Sequence, residues 1–333
     1  MSPASAQQVS GSGSSFAAPL YAKWGELSAQ PQSKGGVGIS LSYSSVGSGA
    51  GVQAVTSRTV DFGASDAPVA ADKLRDRQLL QFPVAIGAVN VIVNVTGIAA
   101  NRLKLSGPVL ADIYAGSITR WDDQRIKAIN PGLALPTLPI APIVRADSSG
   151  TTFVFTGYLA MVSPEWKAHV GSGTAVHWPG GIPVRGSDGV TATVTATPGA
   201  VGYIEAGLAD TGKLVTVQLQ NAAGHFVVPA EAAYAATAQH ADWNSALNFA
   251  IDLNNQPGDD SWPIETVSFA LLPENPADPA RALSAIKFFD LGFSRGGDAA
   301  RALHYIALPA PVQDAVRKTW RTSIHGPDGR PLF

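Results

Sequence analysis

The sequence predicts an α/β protein built as two domains. Three observations carry this. The chain has 333 residues, more than a single hydrophobic core usually serves. Hydrophobic residues make up 45% of it, enough to fill two cores. Segments with helical periodicity alternate along the whole length with short β-rich runs, the pattern of an α/β fold.

The elements follow from spacing. Leu20, Trp24 and Leu27 recur at helical intervals and predict a helix over 17–29, with Pro19 at an early position where its missing N–H costs nothing. Phe155, Leu159 and Val162 do the same for 151–162. Leu283, Ile286 and Phe289 define a helix over 279–291, which Gly292 and Gly296 are expected to end. Further helices are expected at about 108–115, 228–239, 245–254 and 312–320. Strands are expected at about 39–43, 82–94, 139–144, 201–204, 214–219 and 267–272. The longest apolar run, 84–95, is interrupted by Gly87, Asn90 and Asn94; it reads as a buried strand and is too short to cross a bilayer.

The chemistry concentrates where small polar residues precede helices. Arg145-Ala146-Asp147-Ser148-Ser149-Gly150-Thr151-Thr152 places a guanidinium, a carboxylate and several hydroxyls before the helix at 151. The first N–H groups of a helix have no intrahelical partner and favour anions, and an arginine fork fits oxyanions. Gly11-Ser12-Gly13-Ser14-Ser15-Phe16 and Gly47-Ser48-Gly49-Ala50-Gly51 have a similar form, with glycines that would let backbone approach a ligand. Taken singly, each is equally an ordinary N-cap beside a turn; three together, one with Arg145, point to a tetrahedral anion. Asp66, in Asp61-Phe62-Gly63-Ala64-Ser65-Asp66, has two readings. It is a helix cap before Lys73 and Leu74, or an acceptor-only group for the proton of a protonated oxyanion, which would disfavour sulfate.

Several classes are excluded or disfavoured. There are no cysteines, so disulfides and thiolate chemistry are absent. The net charge of −2 gives no basic footprint for nucleic acid. The six histidines lack metal-ligand spacing, so no metal, cofactor or catalytic residue is expected. Gly292-Phe293-Ser294-Arg295-Gly296 formally matches a nucleophile elbow but follows a helical run where that motif needs a strand.

In order along the chain, Gly11-Ser12-Gly13-Ser14-Ser15-Phe16, Val46-Gly47-Ser48-Gly49, Val60-Asp61-Phe62-Gly63-Ala64-Ser65-Asp66-Ala67-Pro68, Asp112-Ile113-Tyr114-Ala115-Gly116, Arg145 to Phe153, Pro198 to Glu205, Trp262-Pro263-Ile264 and Gly329-Arg330-Pro331-Leu332 closely resemble the phosphate-binding proteins of bacterial ABC phosphate importers. The likeness runs nearly end to end. It implies a bilobal periplasmic-binding-protein fold of type II topology, with two crossover strands. Lobe I would be 1–84 plus 263–333 and lobe II 85–262, with the ligand cleft between them. It implies phosphate ligands at Ser14, Ser15, Phe16, Ser48, Asp66, Arg145, Ser149, Gly150 and Thr151, with backbone N–H groups of Ser14 and Phe16 flanking the Ser15 hydroxyl. Asp147 would pair with Arg145 and moderate its charge. Ser15 stands where threonine is commoner, which keeps the hydroxyl, and Ser148 where glycine is frequent. The implied protein is a periplasmic, monomeric, non-enzymatic receptor that hands inorganic phosphate to a membrane permease. The start of the chain, Met1 to Ala6, has no signal-peptide pattern, as expected of a mature form with an added Met. Two alternatives use the same residues: a phosphoester hydrolase with Ser149 or Ser15 as nucleophile, and a binder of another oxyanion.

Overall fold

A computed structural model describes residues 7–243 and 247–333. In chain order the elements are β1 (Gln7–Gly13), α1 (Ala18–Ser28), β2 (Ile39–Ser45), α2 (Ser48–Thr56), β3 (Phe62–Ser65), α3 (Ala71–Arg77), β4 (Leu79–Val93), β5 (Lys104–Leu105), α4 (Gly107–Tyr114), α5 (Gln124–Ile129), β6 (Ala141–Arg145), α6 (Gly150–Val162), α7 (Pro164–His169), β7 (Ile182–Val184), α8 (Gly186–Ala196), β8 (Ala200–Glu205), α9 (Ala206–Thr211), β9 (Val215–Thr216), β10 (Gln218–Gln220), β11 (Phe226–Val227), α10 (Glu231–Ala238), β12 (Glu265–Pro273), α11 (Pro279–Arg295), α12 (Gly297–Ala302), β13 (Tyr305–Ala307) and α13 (Ala310–Ser323). The fold is α/β.

The chain divides into two compact units. One is Met1–Ile86, Asp242–Ala250 and Val267–Phe333; the other is Gly87–Ala241 and Ile251–Thr266. Two of the passages between units fall inside strands, at Ile86/Gly87 in β4 and Thr266/Val267 in β12.

In the first unit β1 is parallel to both β2 and β3, with Gly11 opposite Tyr43 and Phe62. The β12 strand runs antiparallel to β3, with Phe269 opposite Ser65. Parallel neighbours need crossover helices, and α1 and α2 supply them. Tyr21, Trp24, Phe62, Phe82, Phe288, Phe289 and Trp320 form a buried aromatic core; each such ring contributes roughly 1.5–3 kcal/mol by leaving water. The glycines on the first segment serve this packing. A Cβ on Gly51 would lie 2.4 Å from Gly13 Cα and 2.5 Å from Ser12 O, so the bare backbone is what lets α2 lie on the ends of β1 and β3. At Gly51 the missing Cβ therefore serves packing.

In the second unit β6 is parallel to β7 and β8, and β4 is antiparallel to β8. Ile92, Ile143, Val190, Val194, Ala200 and Ile204 pack as its apolar core. The run expected as one strand over 214–219 divides: Thr216 pairs with Ile92 of β4, whereas Gln218 pairs with Lys104 of β5.

Two expectations are overturned. No helix spans 245–254. Residues 245 and 246 lie outside the described residues; 247–249 form only a 3-10 turn, and Asn248 and Phe249 take left-handed φ of 53° and 59°. The Asp252 carboxylate then accepts from the Asn254 N–H at 2.9 Å, a local bond that competes with helix. Gly292 does not end α11. It lies inside it, one turn before the Gly296 cap, because a Cβ there would sit 2.3 Å from the Trp24 ring. The elbow-like sequence is therefore helical.

Candidate functional site

Each unit carries one group of polar residues where parallel strands end and helices begin. This is where ligands bind in open α/β sheets, because carboxyl strand ends and helix N-termini meet there.

In the first unit Ser14 follows β1 directly and Asp66 follows β3 directly. Asp66 is wholly buried, and a buried carboxylate needs donors. Serine hydroxyls from three segments supply them. Ser14 Oγ donates to both Asp66 oxygens at 2.7 and 2.6 Å. Ser48 Oγ donates to Oδ2 at 3.3 Å and accepts from the Asp66 N–H at 3.2 Å. Ser268 Oγ, from β12, donates to Oδ1 at 2.8 Å. Asp66 is thus an acceptor held by hydroxyl groups, and it is not a helix cap: α3 begins at Ala71 and its cap position is Ala70.

Ser14 has a different part from the one expected. Its N–H is spent on Ala64 O at 3.0 Å, and its hydroxyl, besides holding Asp66, accepts from the Ala17 N–H at 3.0 Å. It fixes Asp66 and the entry of α1, so its backbone does not flank an anion. The turn that carries Ser15 and Phe16 is tied down by two phenols: Tyr43 Oη donates to Ser14 O at 2.8 Å, and Tyr305 Oη donates to Phe16 O. Ser15 and Phe16 are both buried. Ser48 opens α2, and the N–H groups of Val46 and Gly47 ahead of it donate to Gly13 O at 3.0 and 2.9 Å.

In the second unit Arg145 is the last residue of β6, and α6 begins at Gly150. The guanidinium is 1% exposed. Its fork meets Asp147, with Nε donating to Oδ1 at 2.7 Å and Nη2 to Oδ2. Asp147 Oδ1 also accepts from the Gly186 N–H at 3.1 Å. Burial works against the charge on Arg145, but the bond and charge of Asp147 outweigh it and hold the guanidinium above its usual value. Burial likewise works against the Asp147 carboxylate, and Arg145 with the Gly186 N–H outweighs it and holds the carboxyl below the usual range. Ser149 caps α6: its hydroxyl accepts from the Thr152 N–H at 3.1 Å, and its own N–H donates to Thr174 O at 2.8 Å. Gly150 and Thr151 form the first helical turn, both buried.

Tyr203 of β8 joins these pieces. Its ring stacks on Phe155 with centroids 4.2 Å apart, and its hydroxyl lies 2.7 Å from Thr152 Oγ1 and accepts from the Arg145 N–H at 3.3 Å. Burial pushes this phenol up to about 12, against the opposing pull of Thr152 and Arg145.

The residues expected at the site therefore fall into two groups. Ser14, Ser15, Phe16, Ser48 and Asp66 gather in one unit; Arg145, Asp147, Ser149, Gly150 and Thr151 gather in the other. Tyr43, Ser268 and Tyr305 of the first group, and Tyr203 of the second, were not foreseen. All four lie on strands, and Tyr43, Tyr203 and Ser268 fall inside runs expected as strands, but nothing in those runs marks their hydroxyls as partners of the site. Among the described residues no cluster of acidic residues and histidines is arranged to hold a metal ion, and no helix is long and apolar enough to cross a membrane.

The family model described as "PBP superfamily domain" matches residues 2–290. A curated relative, the phosphate-binding protein PstS of Pasteurella multocida, is 42% identical over 98% of this chain and 94% of its own length. Among solved structures, a high-affinity periplasmic phosphate-binding protein bound with phosphate aligns with a TM-score of 0.72 at 22% identity, covering 94% of both chains. A protein from Clostridium perfringens, described as a candidate phosphate ABC transporter substrate-binding protein with bound phosphate, aligns with a TM-score of 0.65 at 18% identity, covering 91% of this chain and all of that one. The structural likenesses show the fold; the family model and the identity over nearly the whole length show the family. This chain belongs to the PBP superfamily and, within it, to the PstS phosphate-binding proteins, which are solute-binding proteins rather than enzymes.

Proposed function

We propose that this protein captures inorganic phosphate, with preference over sulfate, and delivers it to the permease of an ABC phosphate importer, acting in the periplasm as a monomer. The residues we assign to the phosphate are Ser15, Phe16, Ser48 and Asp66, and Arg145, Ser149, Gly150 and Thr151. Ser14 and Asp147 support them. Helix starts and the arginine provide donors to the charged oxygens of the oxyanion.

The observation that carries this reading is the fully buried Asp66 carboxylate, held by hydroxyls from three separate segments. A carboxylate at an anion site only accepts, so it fits a ligand that brings a proton. Phosphate keeps one at physiological pH; sulfate does not, and would set two bare anions together. The names of the relatives, phosphate-binding protein PstS and phosphate ABC transporter substrate-binding protein, support the ligand and the transport role.

The direct test is calorimetric titration of phosphate into protein freed of ligand by unfolding and refolding, repeated in excess sulfate. One tight site unaffected by sulfate is the expected result. Refolded protein that takes up no phosphate, or that sulfate saturates equally well, overturns the reading.

A further inference from the structure

Behind Asp66, on the side supplied by β12 and α1, stand two hydroxyl residues that the resemblance does not assign. Ser268 Oγ gives its one proton to Asp66 Oδ1 at 2.8 Å. Having done so, it retains only acceptor capacity. The hydroxyl of Tyr21 faces both Ser268 and Asp66. Tyr21 is fully buried, and its oxygen has no hydrogen-bond partner in good geometry among the described residues. A buried hydroxyl without a partner costs stability, and phenylalanine would fill the same space without that cost. The Tyr21 ring is already fixed by edge contacts to Phe62 and Phe289 at 5.5 and 6.0 Å, so the hydroxyl is not needed to hold the ring.

We infer that Ser268 is a specificity-determining positioning residue, whose hydroxyl holds the Asp66 carboxylate in the acceptor-only form that reads the phosphate proton. A donor to a carboxylate favours its charged form. The titratable groups that face Asp66 from the packed elements are Tyr21 of α1 and Tyr43 of β2. Burial, reinforced by the neighbouring carboxylate, keeps both phenols protonated, so neither competes with Asp66 as an acceptor for the ligand's proton. The inference rests on the phosphate reading above.

The test compares wild type, Ser268→Ala, Ser268→Thr and Tyr21→Phe by phosphate calorimetry at several pH values, with and without sulfate. Ser268→Ala is expected to lose about tenfold in phosphate affinity, the effect of one charge-assisted bond. It should also lose affinity at a higher pH than wild type on acidification, and admit sulfate competition. Ser268→Thr, which restores the hydroxyl, should recover most of each. Tyr21→Phe, which removes the neighbouring phenol that bonds to neither group, should bind as wild type while its thermal midpoint stays level or rises; an equal loss of affinity there would assign the effect to packing around Asp66 and overturn the inference. Ser268→Ala with wild-type affinity, pH profile and sulfate discrimination overturns the inference, and should that variant not fold, Ser268→Cys, which puts a weak thiol donor in place of the hydroxyl, decides it by the same readouts. Failure of wild type to bind phosphate is a different result, which removes the underlying reading and this inference with it.

Discussion

Thr152 Oγ1 and Tyr203 Oη lie 2.7 Å apart, and through that contact the first turn of α6 is anchored to β8 while the Arg145 N–H donates to the same phenol oxygen. Three segments of the candidate site thereby share one buried atom. Tyr203→Phe leaves the Thr152 hydroxyl and the Arg145 N–H short of a partner in a dry setting. A loss of about 1–3 kcal/mol in unfolding free energy is expected, read from the urea midpoint, with a smaller loss in phosphate affinity than at Arg145. An unshifted midpoint would show that the phenol ties nothing down.

Arg145→Ala removes the buried cation and leaves the Asp147 carboxylate with the Gly186 N–H but no charge partner. Truncating one partner of a buried charge pair costs about 2–5 kcal/mol. The phosphate dissociation constant should therefore rise by roughly 30-fold to several thousand-fold. Affinity within a factor of about two of wild type would take Arg145 out of the site.

Asp66→Asn keeps the shape of the acceptor but adds two donor hydrogens. Sulfate, which repels a carboxylate, meets no such repulsion from an amide. Competition titrations are expected to show sulfate displacing phosphate from the variant and not from wild type. Full phosphate selectivity in Asp66→Asn would remove the proton-reading role.

Glu265, at the start of β12, is 1% exposed, and neither carboxyl oxygen has a hydrogen-bond partner among the described residues. Burial drives this carboxyl well above its usual range; the nearby Thr237 hydroxyl, whose proton goes to Trp262 O at 2.8 Å, opposes that only in part. The folded protein holds the Glu265 proton more tightly than the unfolded chain does. Its contribution is therefore complete below the ordinary carboxylate range and is lost as pH rises through the raised folded value. Wild type should lose stability relative to Glu265→Gln as pH climbs from acid to neutral. Parallel melting-temperature profiles for the two proteins would contradict this.

Gly292→Ala places a methyl 2.3 Å from the Trp24 ring. Overpacking of this kind costs typically about 1–3 kcal/mol, so a lower melting temperature is expected. Gly292→Ala should cost less in a Trp24→Leu background than in wild type, because the clash is gone.

The sequence by itself determined the α/β class, the helices α1, α6 and α11 and the two polar groups with Asp66 and Arg145. These follow from local spacing: an amphipathic helix repeats its apolar residues within a few positions, and a helix start announces itself in small polar residues and glycine. Tertiary structure alone decided how those residues are held. Ser268 lies 202 positions from Asp66, Tyr305 lies 289 from Phe16, and Tyr203 lies 51 from Thr152; no local pattern encodes such pairings. It also decided the part of Ser14, whose N–H goes to Ala64 O, and of Gly51 and Gly292, which answer to Gly13 and Trp24. Over 245–254 local composition favoured a helix, and the left-handed Asn248 and Phe249 replaced it. The division has one physical cause. Periodicity and capping act over a few residues along the chain, whereas close packing and the pairing of buried polar groups act between whatever segments the fold brings together.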